Sequence, residues 1–122
     1  MAIIRRYKMD ATIARTIYEQ IGGNRFAVMT GAKDIVLLPG GLRFRIGRNK
    51  SKTNLVEIKL NGMDLYDMKF IYHRNGYLKV DHKKLTAKWI DDKTELIKRF
   101  ENIYFDQLEE LFTMVTGLYT RL

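Results

Sequence analysis

The chain has 122 residues, of which 46% are apolar and 30% charged, with no cysteine and a formal net charge of +8. That length and balance describe one folded domain, neither disordered nor carrying an apolar run as long as a membrane span. The lack of thiols removes disulfides, thiolate catalysis and Cys-based zinc sites, and fits a reducing, cytoplasmic setting.

The positive charge is unevenly spread. Residues 1–90 carry 18 Lys/Arg against 7 Asp/Glu, and residues 91–122 carry 4 against 7. An excess of this kind attracts polyanions and speeds encounter with them. The opening segment MAIIRRYKMD has basic residues but no apolar core and no small-residue cleavage site, so it does not read as a signal peptide.

In chain order, Asp10 is placed to cap a helix in which Ile13, Ile17 and Ile21 keep helical spacing, with Ala14 and Tyr18 beside them. Gly22 stands where a left-handed C-cap residue belongs. The stretch IGGNRFAVMTGAKDIV (21–36) raises the question of a phosphate loop. Such a loop needs four residues between its glycines, then Lys directly after the second, then Ser or Thr. Here Ala32 separates Gly31 from Lys33, Asp34 follows, and a helix precedes where a strand should stand. Gly22-Gly23 therefore reads as a helix stop and Gly31 as a turn, not as a nucleotide site.

From Arg25 onward the period becomes that of strands. RFAVM, DIVLL, LRFRI, LVEIKL, DLYDMKFIY and YLKV are parted by TGAK, PGG, GRNKSKTN, NG and RNG. Asn61-Gly62 and Asn75-Gly76 both carry the short-hairpin signature. Alternation puts Phe44, Ile58, Met68, Phe70, Leu78 and Val80 on an inward face with their like-phased neighbours. Arg43, Arg45, Glu57, Lys59, Asp67, Lys69, His73, Tyr77 and Lys79 fall on the other, as in an antiparallel sheet covered on one side.

After Asp91-Asp92, the residues Ile97, Phe100, Tyr104, Leu108, Leu111 and Val115 step by three or four. The expectation is one helix of about 25 residues, closed at Thr116-Gly117-Leu118 with Gly117 left-handed. At about 37 Å it would overhang strands of about 23 Å, and the surplus would serve a homodimer contact or pack on the N-terminal helix. Trp89, flanked by apolar residues at the start of that helix, is expected in the core.

Two triplets, Glu57-Ile58-Lys59 and Asp67-Met68-Lys69, set an acid and a lysine two apart on a strand, with Asp34 upstream. Metal-dependent nucleases use such a set, but any wet strand face produces these triplets, and the Pro-Asp that often begins the motif is missing. His73 and His82 are too few for a dedicated metal site, and no Ser-His-Asp order stands out, so no metal or cofactor is expected. The feature that remains is basic-aromatic, with Tyr77 and Trp89 standing near Lys83, Lys84 and Lys88 in sequence. Arg43, Arg45, Lys59, Lys69 and Lys79 lie on the wet face, and Arg48, Lys50 and Lys52 crowd the tip GRNKSKTN. Charged surfaces of this kind bind nucleic acid through its phosphates.

IGGNRFAVMTGAKD, LNGMDLYDMKF and VTGLYTRL together resemble a group of small proteins of phages, prophages and other mobile elements, over about Met9 to Leu122. The segment from Tyr72 to Lys98 is longer than the group leads one to expect. The resemblance implies a bacterial host cytoplasm and an accessory role, and carries over no catalytic residue. It also makes Met9-Asp10 a natural start, with residues 1–8 a basic extension.

The expected fold is a single α+β domain over 1–122: an N-terminal helix, an antiparallel meander of about five strands, and a long C-terminal helix on the apolar face. The expected function is non-enzymatic nucleic-acid binding, DNA before RNA, through the eight basic residues named above. The alternative is an inhibitor of a host defence system that binds a protein, and the third reading is the nuclease. No membrane partner is expected.

Overall fold

Residues 2–120 are described by the computed structural model, with side chains from residue 12 onward. Helix α1 (Ala2–Ile21) is followed by α2 (Gly23–Thr30), with Gly22 at φ 128 between them. The α1 backbone runs through Asp10, so the helix does not begin there, and the Asp10 side chain lies outside the described residues. The RFAVM segment is not a strand. It forms α2, which ends at Gly31 in the left-handed conformation (φ 72, ψ 21). A five-residue apolar run fits a buried helix as well as a strand, and here Phe26 alone of that run turns fully inward.

Five strands make one antiparallel sheet in the order β1-β2-β3-β4-β7: β1 (Lys33–Leu38), β2 (Gly41–Arg45), β3 (Leu55–Leu60), β4 (Tyr66–Arg74) and β7 (Lys93–Ile103). The β2–β3–β4 register pairs Phe44 with Val56 and Val56 with Phe70, so the inward row expected from alternation is continuous across the sheet. Leu42, Phe44, Ile46, Val56, Ile58, Met68 and Phe70 are all buried on that face. Asn61-Gly62 does sit in the β3–β4 connection, but in a loop that runs to Leu65, closed by Asn61 N–H to Leu65 O (2.8 Å) with Asp64 left-handed at φ 59.

The apolar face is covered by α1, α2 and a short C-terminal helix, α3 (Leu108–Thr116), after a 3₁₀ turn at Phe105–Gln107. Ala14, Ile17 and Ile21 of α1 have no exposed surface. Phe26 of α2 meets Phe44 edge-on at 5.2 Å between centroids, and Phe112 of α3 at 5.0 Å. Gly117 caps α3 at φ 76, and the Thr113 hydroxyl donates to Leu118 O, so the expected helix end is present.

The expected helix of about 25 residues is not. Residues 93–103 form β7, and α3 has nine residues. The overhang that offered a dimer contact is therefore missing. Two bulges explain the misleading spacing. Tyr66 pairs with Ile103 but Met68 with Phe100, so a step of two on β4 is a step of three on β7. A second shift, between Phe70/Lys98 and Ile71/Leu96, leaves Ile97 as the extra residue. Inward residues spaced by three then mimic one face of a helix.

The last two strands stand apart. β5 (Tyr77–Asp81) and β6 (Thr86–Ile90) pair only with each other, as a two-stranded ribbon inserted between β4 and β7. Asn75-Gly76 is thus no hairpin turn, since β4 pairs with β7 and not with β5. Leu78, Val80 and Trp89, expected in the core, are 57%, 48% and 59% exposed. The Tyr72–Lys98 segment that looked long contains this arm.

Candidate nucleic-acid interface

Strand pairing gathers four segments at one end of the sheet: the 47–54 loop, the end of β4, the start of β7, and the arm that leaves between them. Arg45 pairs with Leu55, Leu55 with Ile71, and Ile71 with Leu96. The end of α3 joins them, because Lys50 N–H donates to Thr116 O at 3.1 Å. Residues 47–54 and 72–95 together carry nine Lys/Arg and four Asp/Glu, five of the eight net positive charges. The opposite end is acidic. Residues 61–67 and 101–110 carry Asp64, Asp67, Glu101, Asp106, Glu109 and Glu110 and no Lys or Arg. There Asp106, Glu109 and Glu110 line a pocket of about 610 Å³ with Phe105 and Tyr119.

The 47–54 loop is built rather than loose. Asn49 donates to Gly47 O (2.8 Å) and Thr53 O (2.7 Å) and accepts from Ser51 N–H (2.9 Å). Asn54 exchanges hydrogen bonds with the His73 backbone at 2.7 and 2.8 Å. The stem of Lys50 lies over Gly117, where an added Cβ would stand 3.1 Å from Lys50 Cδ. Lys52 reaches Glu95 at 3.8 Å and sits over the Tyr72 ring. Lys50 and Lys52 therefore serve the fold as well as the surface, whereas Arg48 is exposed and in no ion pair among the described residues.

The outer sheet face is less basic than its lysines and arginines alone implied. Arg45 meets Asp34 at 3.7 Å and Lys59 meets Glu57 at 3.4 Å. Glu57 also stands opposite both Arg43 and Lys69 in the strand register. Cations and carboxylates thus alternate across this face, and its own anions answer most of its charge. Asp34 and Glu57 share one shallow pocket with Arg43, Arg45 and His73, each carboxylate engaged by a cation. Among the described residues no three His, Asp or Glu side chains converge as metal ligands.

The arm is different. Lys79, Lys83, Lys84 and Lys88 are exposed, and none is in an ion pair among the described residues. Lys79 and Lys88 are cross-strand partners, a like-charge pairing that destabilises a free ribbon. Sequence reasoning placed Lys79 on the sheet face and left Lys83, Lys84 and Lys88 out of the site. The Asp81 carboxylate accepts the N–H groups of Lys83 (3.0 Å) and Lys84 (3.2 Å), which fixes the tip. Leu85, last in the turn, is 89% exposed at φ 54. The left-handed region costs a non-glycine residue about 1–2 kcal/mol, and Gly or Asn is the usual occupant.

At the root, Arg74 lies over the Tyr77 ring and donates to Asp91 O at 3.2 Å. Gly76 N–H donates to the Asp92 carboxylate, and a Cβ on Gly76 would fall 2.6 Å from Trp89 Cζ2. Only glycine lets the indole lie against the backbone there.

Searches against protein-family models, curated proteins and solved structures found nothing that matches this chain. No helix among the described residues is long and apolar enough to cross a membrane.

Proposed function

We propose that the protein is a non-enzymatic, nucleic-acid-binding accessory protein that meets DNA with the basic end of its sheet, above all with the arm. The observation that carries this reading is the set of four arm lysines, exposed and free of carboxylate partners among the described residues. They gain nothing from the fold and repel one another, so a polyanion is the simplest use for them. The resemblance to mobile-element proteins supplies the setting, a bacterial host cell.

A fluorescence-anisotropy titration against DNA of arbitrary sequence, repeated at several salt concentrations, tests the proposal. Each phosphate neutralised adds nearly one unit to the slope of log affinity against log salt. Replacing Lys79, Lys83, Lys84 and Lys88 with Gln should lower that slope by about three to four units and leave the melting temperature unchanged. Equal slopes would remove the arm from the interface. A second reading, protein binding by an inhibitor of host defence, is favoured by the apolar face of the arm. Leu78, Val80, Ala87 and Trp89 share that face and are all exposed. Absence of DNA binding at low salt would put that reading first.

A further inference from the structure

We infer that the arm grips double-stranded DNA and drives Leu85 between two base pairs as a wedge that bends the duplex. This rests on the nucleic-acid reading above and adds the form of the ligand and the residue that deforms it.

Leu85 breaks two local rules at once. It holds a left-handed backbone (φ 54) at a turn position that Gly or Asn fills without strain, and it presents a bare isobutyl group to solvent, 89% exposed. The turn itself is already fixed by Asp81, so the leucine side chain adds nothing to it. A residue that is locally unfavourable and makes no compensating contact points to a use outside the chain.

The surroundings say what that use is. Residues 77–90 carry four lysines and one aspartate. A second copy of the arm would bring the same charge against it, so the partner must be anionic. Lys83 and Lys84 adjoin Leu85 at the tip, and Lys79 and Lys88 share a face behind it. This arrangement lets cations reach phosphates while the tip enters a groove. A two-stranded ribbon can enter the minor groove of B-form DNA, the side from which apolar wedges part base steps, whereas the wide, shallow minor groove of A-form RNA gives a ribbon no walls to grip. Leucine is among the apolar side chains that enter base steps, unstacking them and kinking the duplex by about 20–90°.

The test uses the full chain and a duplex of about 30 base pairs with a dye at each end and 2-aminopurine at its centre. Wild type should bring the ends closer, seen as a gain in energy transfer, and raise 2-aminopurine emission. Leu85→Asn suits the left-handed position, so it keeps the arm folded, which an unchanged melting temperature verifies. It should bind with the same salt slope while losing the gain in energy transfer and in emission. Equal bending by wild type and Leu85→Asn overturns the wedge and leaves nucleic-acid binding standing. So does preference for single strands or duplex RNA over duplex DNA. Failure of wild type to bind any nucleic acid at low salt removes the proposed function and the wedge with it.

Discussion

Phe112 has no exposed surface. Its ring is edge-on to Phe26 and lies within 6.3 Å, centroid to centroid, of Phe44 and Phe70. Helix, helix and sheet meet on this one side chain, so Phe112→Ala should cost about 3–5 kcal/mol in urea unfolding. Leu108, one turn earlier and equally buried, should cost about 2–5 kcal/mol when cut to Ala. Tyr66 gives a test by pH. Burial raises its phenol above the ordinary 10.0, against a smaller opposing effect of the hydrogen bond with Gln20 (2.6 Å). Because the folded value is the higher one, its contribution to stability is complete below pH 10 and is lost as pH rises through the folded value. Melting temperatures of wild type and Tyr66→Phe, followed through the alkaline range, should show the variant losing less stability than wild type.

Strands β2, β3 and β4 were legible because each alternates cleanly, and the register then aligned Phe44, Val56 and Phe70 with no further information. β7 was not legible. Its bulges make inward residues recur every three positions, and a period of three to four is the helical signal. The arm was hidden for a related reason. Leu78 and Val80 alternate as core residues would, and no rule of local sequence says that the body leaves them exposed. Ribbon and body should therefore be separable. Replacing residues 77–90 with a two-residue Asn-Gly turn should leave the urea midpoint nearly unchanged while removing most of the binding to DNA. The strands of the arm pair only with each other, so the body loses little packing. A large fall in the midpoint would mean that the arm packs on the body.

At the scale of the whole molecule, what matters is where the charge sits rather than its sum. The sequence showed an excess of +8, but the 47–54 loop and the 77–90 arm are brought to one end only by strand pairing. The nine-residue β4 spans roughly 30 Å, so the two ends of the sheet are several Debye lengths apart at about 0.1 M salt. Anions at the acidic end are thus screened from a ligand held at the basic end. Two triple variants separate position from net charge. Asp64→Asn, Asp106→Asn and Glu110→Gln together raise the net charge from +8 to +11. Lys79→Gln, Lys83→Gln and Lys88→Gln together lower it to +5. If binding followed net charge, the first variant would steepen the salt dependence as much as the second flattens it. The expected result is asymmetric: an unchanged slope for the acidic-end variant, and a loss of about three units for the arm variant. Equal and opposite shifts, measured in the same anisotropy titrations, would show that the ligand is drawn to the protein as a whole and not to one end of it.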